Sequence, residues 1–124
     1  MIFDLVEVLA IHELQILEFG GSSGIRDQGL LEAALSRPLQ TFDGNELYPS
    51  PEEKAAALLE SIVINHPFFD GNKRLGYVLM RLVLLESGKD FEASQEEKYQ
   101  LVIMVAKGDL NSAGITQWIR ERLK

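Results

Sequence analysis

Nine consecutive residues, "HPFFDGNKR" from His66 to Arg74, bring together an imidazole, a carboxylate, a carboxamide and two cations. Each suits one part of a phosphate-handling reaction. His66 offers an imidazole nitrogen that can accept a proton from a hydroxyl. Asp70 is a hard oxygen ligand of the kind magnesium takes, one or two carboxylates at a time, before completing its shell with nucleotide phosphates and water. Gly71 has no Cβ to keep a phosphate oxygen from the backbone. Asn72 adds an amide, Lys73 a point charge and Arg74 a planar fork able to grip two oxygens. If a helix begins near Gly71, its first four N–H groups lack intrahelical acceptors and, with the helix dipole, make an anion site. The result is a phosphate cradle without a Walker A sequence, since no G-x-x-x-x-G-K-[ST] occurs in the chain. A purely structural His66, capping the preceding helix by donating to its last carbonyls, accounts for the histidine but not for the other four groups. Two cations opening a helix sit against the dipole unless an anion is bound there.

The tetrapeptide FDGN occurs a second time, from Phe42 to Asn45, with no base or cation next to it and with Pro38 and Pro49 on either side. Aspartate followed by glycine is a turn signal, so Asp43, Gly44 and Asn45 read as a plain turn or short hairpin. A flap over a neighbouring site, held by Phe42 or Tyr48, is the functional alternative.

The elements that must position the nine residues are helices. Apolar residues recur at helical spacing through nearly every segment and strict alternation is scarce, which predicts a mostly α domain. The first helix spans residues 2–18 and is closed by Gly20 and Gly21. "SSGIRD" is a loop in which Asp27 caps the helix "QGLLEAALSR", stopped by Pro38. Residues 39–49 are irregular. "SPEE" opens a helix with Ser50 as N-cap, Pro51 at its first position and Glu53 placed for a capping box. That helix carries little polar surface and ends near His66, because Pro67 disfavours helical geometry in the residue before it. Another buried helix starts at Gly71 or Asn72 and runs to Gly88. "SQEE", Ser94 to Glu97, is a second capping box whose helix ends at Gly108, and "SAGITQWIRERLK" is a short amphipathic helix anchored by Trp118. His12 reads as a structural histidine, partly exposed. Arg26 and Asp27 read as bracing and capping residues, and Arg81 stays outside the site.

At 124 residues the chain is one domain's length, 1–124. It has no cysteine, which excludes disulfides and thiolate metal sites, and no stretch long and apolar enough to cross a bilayer. The first ten residues lack the basic start and cleavage site of a secretory signal, so a cytoplasmic location is expected. Nineteen acidic against twelve basic side chains give a net charge of −7, which argues against direct nucleic-acid binding.

These residues resemble a known signature. "HPFFDGNKR" is similar to the Fic/Doc motif, and more closely to its Doc (death-on-curing) branch, because Lys73 stands where adenylylating Fic enzymes carry a second glycine. "GIRDQGLLEAALSRP", "ELYPSPEEKAAALLESIVINHPF" and "ESGKDF" also look like Doc-family stretches, so the resemblance covers nearly the whole chain. It implies an all-α, compact bundle of about six helices, with residues 39–49 as a short irregular or hairpin flap. It implies His66 as general base, Asp70 as magnesium ligand, Arg74 as a catalytic cation, and Gly71, Asn72, Lys73 and Arg74 as the nucleotide phosphate site. The reaction it implies is transfer of the terminal phosphate of ATP to a threonine of elongation factor Tu, by a toxin held in check by a Phd-like antitoxin. AMP transfer of the Fic type is the alternative, and a non-catalytic antitoxin-binding bundle a third reading. Three features favour phosphate transfer. Lys73 fills room an α-phosphate needs, Tyr77 replaces a further Fic arginine, and the chain has no internal [ST]-x-x-x-E inhibitory segment. Gly71, shared with Fic enzymes where some Doc proteins have alanine, keeps AMP transfer in play.

Overall fold

The computed structural model describes residues 1–124. Six helices follow in order: α1 (Leu5–Phe19), α2 (Gln28–Ser36), α3 (Pro51–Asn65), α4 (Asn72–Glu86), α5 (Gln95–Ala106) and α6 (Ser112–Arg120). Between α2 and α3 lies a hairpin of two-residue strands, β1 (Thr41–Phe42) and β2 (Asn45–Glu46). Asp43 (φ 53°) and Gly44 (φ 81°) are both left-handed, as a two-residue Asp-Gly hairpin turn requires. No helix is long and apolar enough to cross a membrane.

Side-chain capping sets most of the starts. Asp27, Ser50, Ser94 and Asn111 each accept a backbone N–H from the first turn of the helix that follows. At Ser94 the reciprocal bond from Glu97 is also made. At Ser50 it is not: Glu53 instead accepts the Ser50 hydroxyl at 2.8 Å and meets Arg120 at 3.4 Å, so only half of the expected box forms. One further boundary differs from expectation. The first helix begins at Leu5 rather than residue 2, because Ile2 N–H donates to Leu35 O at 2.8 Å and Phe3 is buried, which holds that end extended against α2. α2 ends at Ser36, just before Pro38 as expected, and the chain goes on through a 3-10 turn, Arg37–Leu39, in which the proline's fixed φ is tolerated.

α3 is the spine. It packs along α4 and also meets α2, α5 and α6. Ala55, Ala56, Leu58, Leu59, Ile62 and Val63 are wholly buried in a contiguous core of 22 residues. A Cβ on Gly76 of α4 would lie 3.1 Å from Leu59 and 3.2 Å from Val63, so the two axes meet closely where a side chain would hold them apart. This α3–α4 pair, joined by residues 66–71, carries the predicted site.

Candidate active site

The connection from α3 to α4 begins with a reversal. His66 is the C-cap of α3 and takes left-handed geometry, φ 50° and ψ 59°, which lets Pro67 follow without the clash a helical residue would suffer. Its Nδ1 lies 3.1 Å from Ile64 O. A carbonyl only accepts, so that nitrogen carries the hydrogen, and in the neutral ring Nε2 keeps its lone pair. The capping role and the base role are thus compatible: one nitrogen caps the helix and orients the ring, and the exposed ring presents an acceptor on the other.

Phe68 then plugs the loop. It is 1% exposed and its ring stacks on His12, with centroids 3.8 Å apart and planes 16° from parallel. Asn72 fastens the same residue from the far side: Phe68 N–H donates to Oδ1 at 3.1 Å, and Nδ2 donates to Phe68 O at 3.0 Å. Asn72 is itself buried, so its amide braces the loop, and the part of Asn72 turned to the helix opening is its backbone N–H. This differs from the expectation that the carboxamide belongs to the cradle. The reason is local: an irregular loop between buried helices must satisfy its own backbone, and Asn72 is the nearest side chain with both a donor and an acceptor.

Asp70 and Gly71 complete the turn. Asp70 O accepts from His12 Nε2 at 2.8 Å, and Asp70 Oδ2 accepts from Ser22 N–H at 2.7 Å. Gly71 is left-handed at φ 81° and serves as the N-cap of α4 without any side-chain cap. The first N–H of α4 to find a partner is that of Leu75, which donates to Gly71 O at 2.9 Å; those of Gly71, Asn72, Lys73 and Arg74 donate to nothing in the protein. α3 and α5 place two glutamates each in their first turns, as the dipole favours, whereas α4 has no acid there and opens with Lys73 and Arg74. Both cations are exposed and neither has a carboxylate partner. The Arg74 guanidinium lies 3.9 Å from the centre of the Phe19 ring, so the last turn of α1 steadies it by a cation–π contact.

Residues 20–27 hold the loop in place from outside. Arg26 N–H and Asp27 N–H donate to Pro67 O at 2.7 and 3.0 Å, Phe69 N–H donates to Gly24 O at 3.3 Å, and Ile25 pairs with Phe68 as an antiparallel bridge. Arg26 Nε and Nη2 cover the final carbonyls of α3, His66 O at 2.6 Å and Asn65 O at 2.7 Å. A cation there also answers the negative end of the helix dipole. The bracing role read for Arg26 and the capping role of Asp27 are both present. Gly21 lets the loop approach, since a Cβ there would stand 3.2 Å from Asp70 Cβ.

His12 is where the structure adds most. It is 2% exposed rather than partly exposed, and it ties α1 to the peptide on which Asp70 sits. Its position one helical turn after buried Val8 was a legible sign of burial, but its two partners lie 56 and 58 residues away, beyond any local pattern. Arg81, left out of the site, pairs with both oxygens of Asp90 at 3.1 and 3.0 Å. Trp118 anchors α6 as read, meeting Phe91 edge-on at 5.1 Å.

Magnesium suits this donor set. The Asp70 carboxylate is exposed and the Ser22 N–H occupies Oδ2, leaving Oδ1 as a hard oxygen donor beside the uncapped opening of α4. No cluster of three or more acidic or histidine ligands lies in the structure, so the ion would depend on a nucleotide to complete its shell.

Residues 2–84 match the profile of the Fic/DOC family. The chain belongs to the Fic/DOC family. Among relatives in this family, a protein named Toxin Doc from Mycolicibacterium smegmatis is 38% identical over 100 residues, covering 77% of each chain. A second, named Protein kinase doc, from Escherichia phage P1, is 28% identical over 114 residues, covering 92% of this chain and 89% of its own. The Fic/DOC match includes the whole "HPFFDGNKR" stretch and ends within α4, leaving α5 and α6 outside it.

Proposed function

We propose that the protein is the toxin of a toxin–antitoxin pair and a phosphotransferase that moves the terminal phosphate of ATP to a protein hydroxyl. The observation that carries this reading is the opening of α4: four backbone N–H groups without acceptors, with Lys73 and Arg74 beside them and no acid in the turn. Such an opening attracts a multiply charged anion, and the neighbouring imidazole and carboxylate supply what transfer further needs. The names of the two relatives, a toxin and a kinase, agree with it.

In this scheme the acceptor hydroxyl approaches the exposed Nε2 of His66, which takes its proton as the oxygen attacks the γ-phosphorus. The bond from that phosphorus to the bridging oxygen of the β-phosphate breaks, and ADP leaves. The Gly71–Arg74 amides, Lys73 and Arg74 hold the phosphate oxygens as charge develops, which is the larger part of catalysis for a transition state of this kind. Asp70 would hold magnesium, which neutralises phosphate charge when bound. His12 and Asn72 keep the loop from yielding, so the groups stay aligned without reorganising during the reaction.

The acceptor we propose is a threonine of elongation factor Tu, with growth arrest following from blocked translation in the cytoplasm, and a Phd-like antitoxin as the restraint. Incubation with elongation factor Tu and ATP labelled either at the γ- or the α-phosphate tests the reaction. Transfer of the γ-label with release of ADP, lost in His66→Ala, is the expected result. Transfer of the α-label with release of pyrophosphate would move the protein to AMP transfer, the second reading, which Gly71 favours.

A further inference from the structure

Lys73 and Arg74 face more than the helix opening. Both line a groove of about 430 Å³ between α4 and α5, and Lys98 of α5 lines it with them. None of the three pairs with a carboxylate, and no aspartate or glutamate lines the groove. On a chain of net charge −7 this is a concentrated positive site. Like charges gathered without counter-ions repel, and a multiply charged anion relieves that repulsion. The rest of the lining is of another kind. Tyr77 stands one turn after Lys73 on α4, and on α5 Val102 stands one turn after Lys98, with Tyr99, 60% exposed, next to it.

The groove therefore has a cationic end continuous with the opening of α4 and an aromatic and apolar remainder. A nucleotide has the matching division: charged phosphates at one end and a flat, weakly polar base at the other. The volume falls in the range of small-molecule sites, roughly 300–1,000 Å³. α5 begins at Gln95, beyond the residues that match the family profile, so this wall is not part of the shared motif.

We propose that the α4–α5 groove is the nucleoside end of the site, in which Lys98 adds a third cation to the phosphates and Tyr99 lies against the base. This rests on the nucleotide reading of the α4 opening and extends it to two residues of α5. Both side chains reach solvent at least in part, so their removal leaves the core intact.

Calorimetric titration of the full chain with magnesium–ATP and, separately, with magnesium–tripolyphosphate tests the assignment, with thermal unfolding as the check on each variant. Tyr99→Ala should weaken ATP binding about tenfold and leave tripolyphosphate binding unchanged. Lys98→Ala should weaken both ligands by several-fold, more at low salt than at high, and Lys98→Arg should restore them. Variants that bind ATP as wild type does overturn the proposal while leaving the nucleotide reading in place. Equal loss of ATP and tripolyphosphate in Tyr99→Ala overturns the base contact. Wild-type protein that binds neither ligand removes the nucleotide reading itself, and this inference with it.

Discussion

The same four residues, Phe-Asp-Gly-Asn, build two different structures in this protein. At residues 42–45 all four are exposed at the tip of a hairpin, Asp43 and Gly44 are both left-handed, and the Asn45 amide reaches only Asp43 O, at 3.5 Å. At residues 69–72 Gly71 alone is left-handed, Asn72 is buried against both backbone groups of Phe68, and Asp70 is held through its carbonyl by His12 and through its carboxylate by Ser22. The tetrapeptide offers a turn in either place. What separates the copies is the company: a left-handed histidine before the second, two buried helices on either side of it, and cations after it where the hairpin has none. A turn at a surface tip hydrogen-bonds to water; a turn between buried helices must find partners within the protein, and so becomes rigid enough to hold reacting groups.

The largest expected difference between the copies is chemical. His66→Ala should lower phosphate transfer by about 10²–10⁴-fold with little change in unfolding temperature, because the ring is exposed. Asp43→Ala in the hairpin should leave the rate unchanged. Equal rates for His66→Ala and wild type in a single-turnover assay would remove the proposed base.

Stability should separate the two asparagines next. Asn72→Ala strips a buried N–H and a buried carbonyl of their partners, each costing about 1–3 kcal/mol, and should shift the urea midpoint clearly downward. Asn45→Ala should stay within about 0.5 kcal/mol of wild type. His12→Phe sharpens the contrast further. Phenylalanine can keep the stack on Phe68 but cannot donate to Asp70 O, so a loss of about 1–2 kcal/mol is expected, with faster amide exchange at residues 68–72 and none at residues 42–45. Unchanged exchange in that variant would show that α1 does not fix the loop.

The smallest effect concerns acid. The Arg81 guanidinium holds the Asp90 carboxyl below its ordinary range, with the Phe91 N–H helping. At Glu52 burial acts to raise the value, but the Lys89 ammonium at 2.7 Å outweighs it and the carboxyl also lies low. A carboxylate lowered in the folded state stabilises it above the unfolded value, and that contribution fades as pH falls through the folded one. Stability should therefore decline on acidification through and below the ordinary carboxylate range. Asp90→Asn should flatten that decline by about 0.5–1 kcal/mol, given how open the pair is to water, in urea titrations run across pH 2–6. Neither pair includes a residue of either FDGN copy, so this loss should leave the contrast between the copies untouched at neutral pH.

The helices were readable because their signals are local. Ser50, Ser94 and Asp27 cap the helices that follow them, and Pro67 comes just after the end of α3. Arg26 as a brace followed from its position in the loop before α2. The roles of Asn72 and His12 did not. An asparagine before two cations looks like one more phosphate donor until the loop is seen folding back so that Phe68 presents its backbone to it. His12 gives no sign of its partners, because stacking on Phe68 depends on how α1 crosses the α3–α4 junction. Lys98 and Tyr99 were invisible for the same reason: only the packing of α5 beside α4 brings them to Lys73. The start of α1 and the half-formed box at Ser50 were missed because Leu35 and Arg120, both distant in sequence, take the groups that local rules assign elsewhere.

The most direct measurement is of the backbone amides themselves. In a ¹⁵N-labelled sample titrated with magnesium–ATP, the amide resonances of Gly71, Asn72, Lys73 and Arg74 should move most and together, while those of Asp43, Gly44 and Asn45 stay where they are. Saturating nucleotide that leaves residues 71–74 unmoved, or moves the hairpin amides as much, would contradict the phosphate site at the opening of α4.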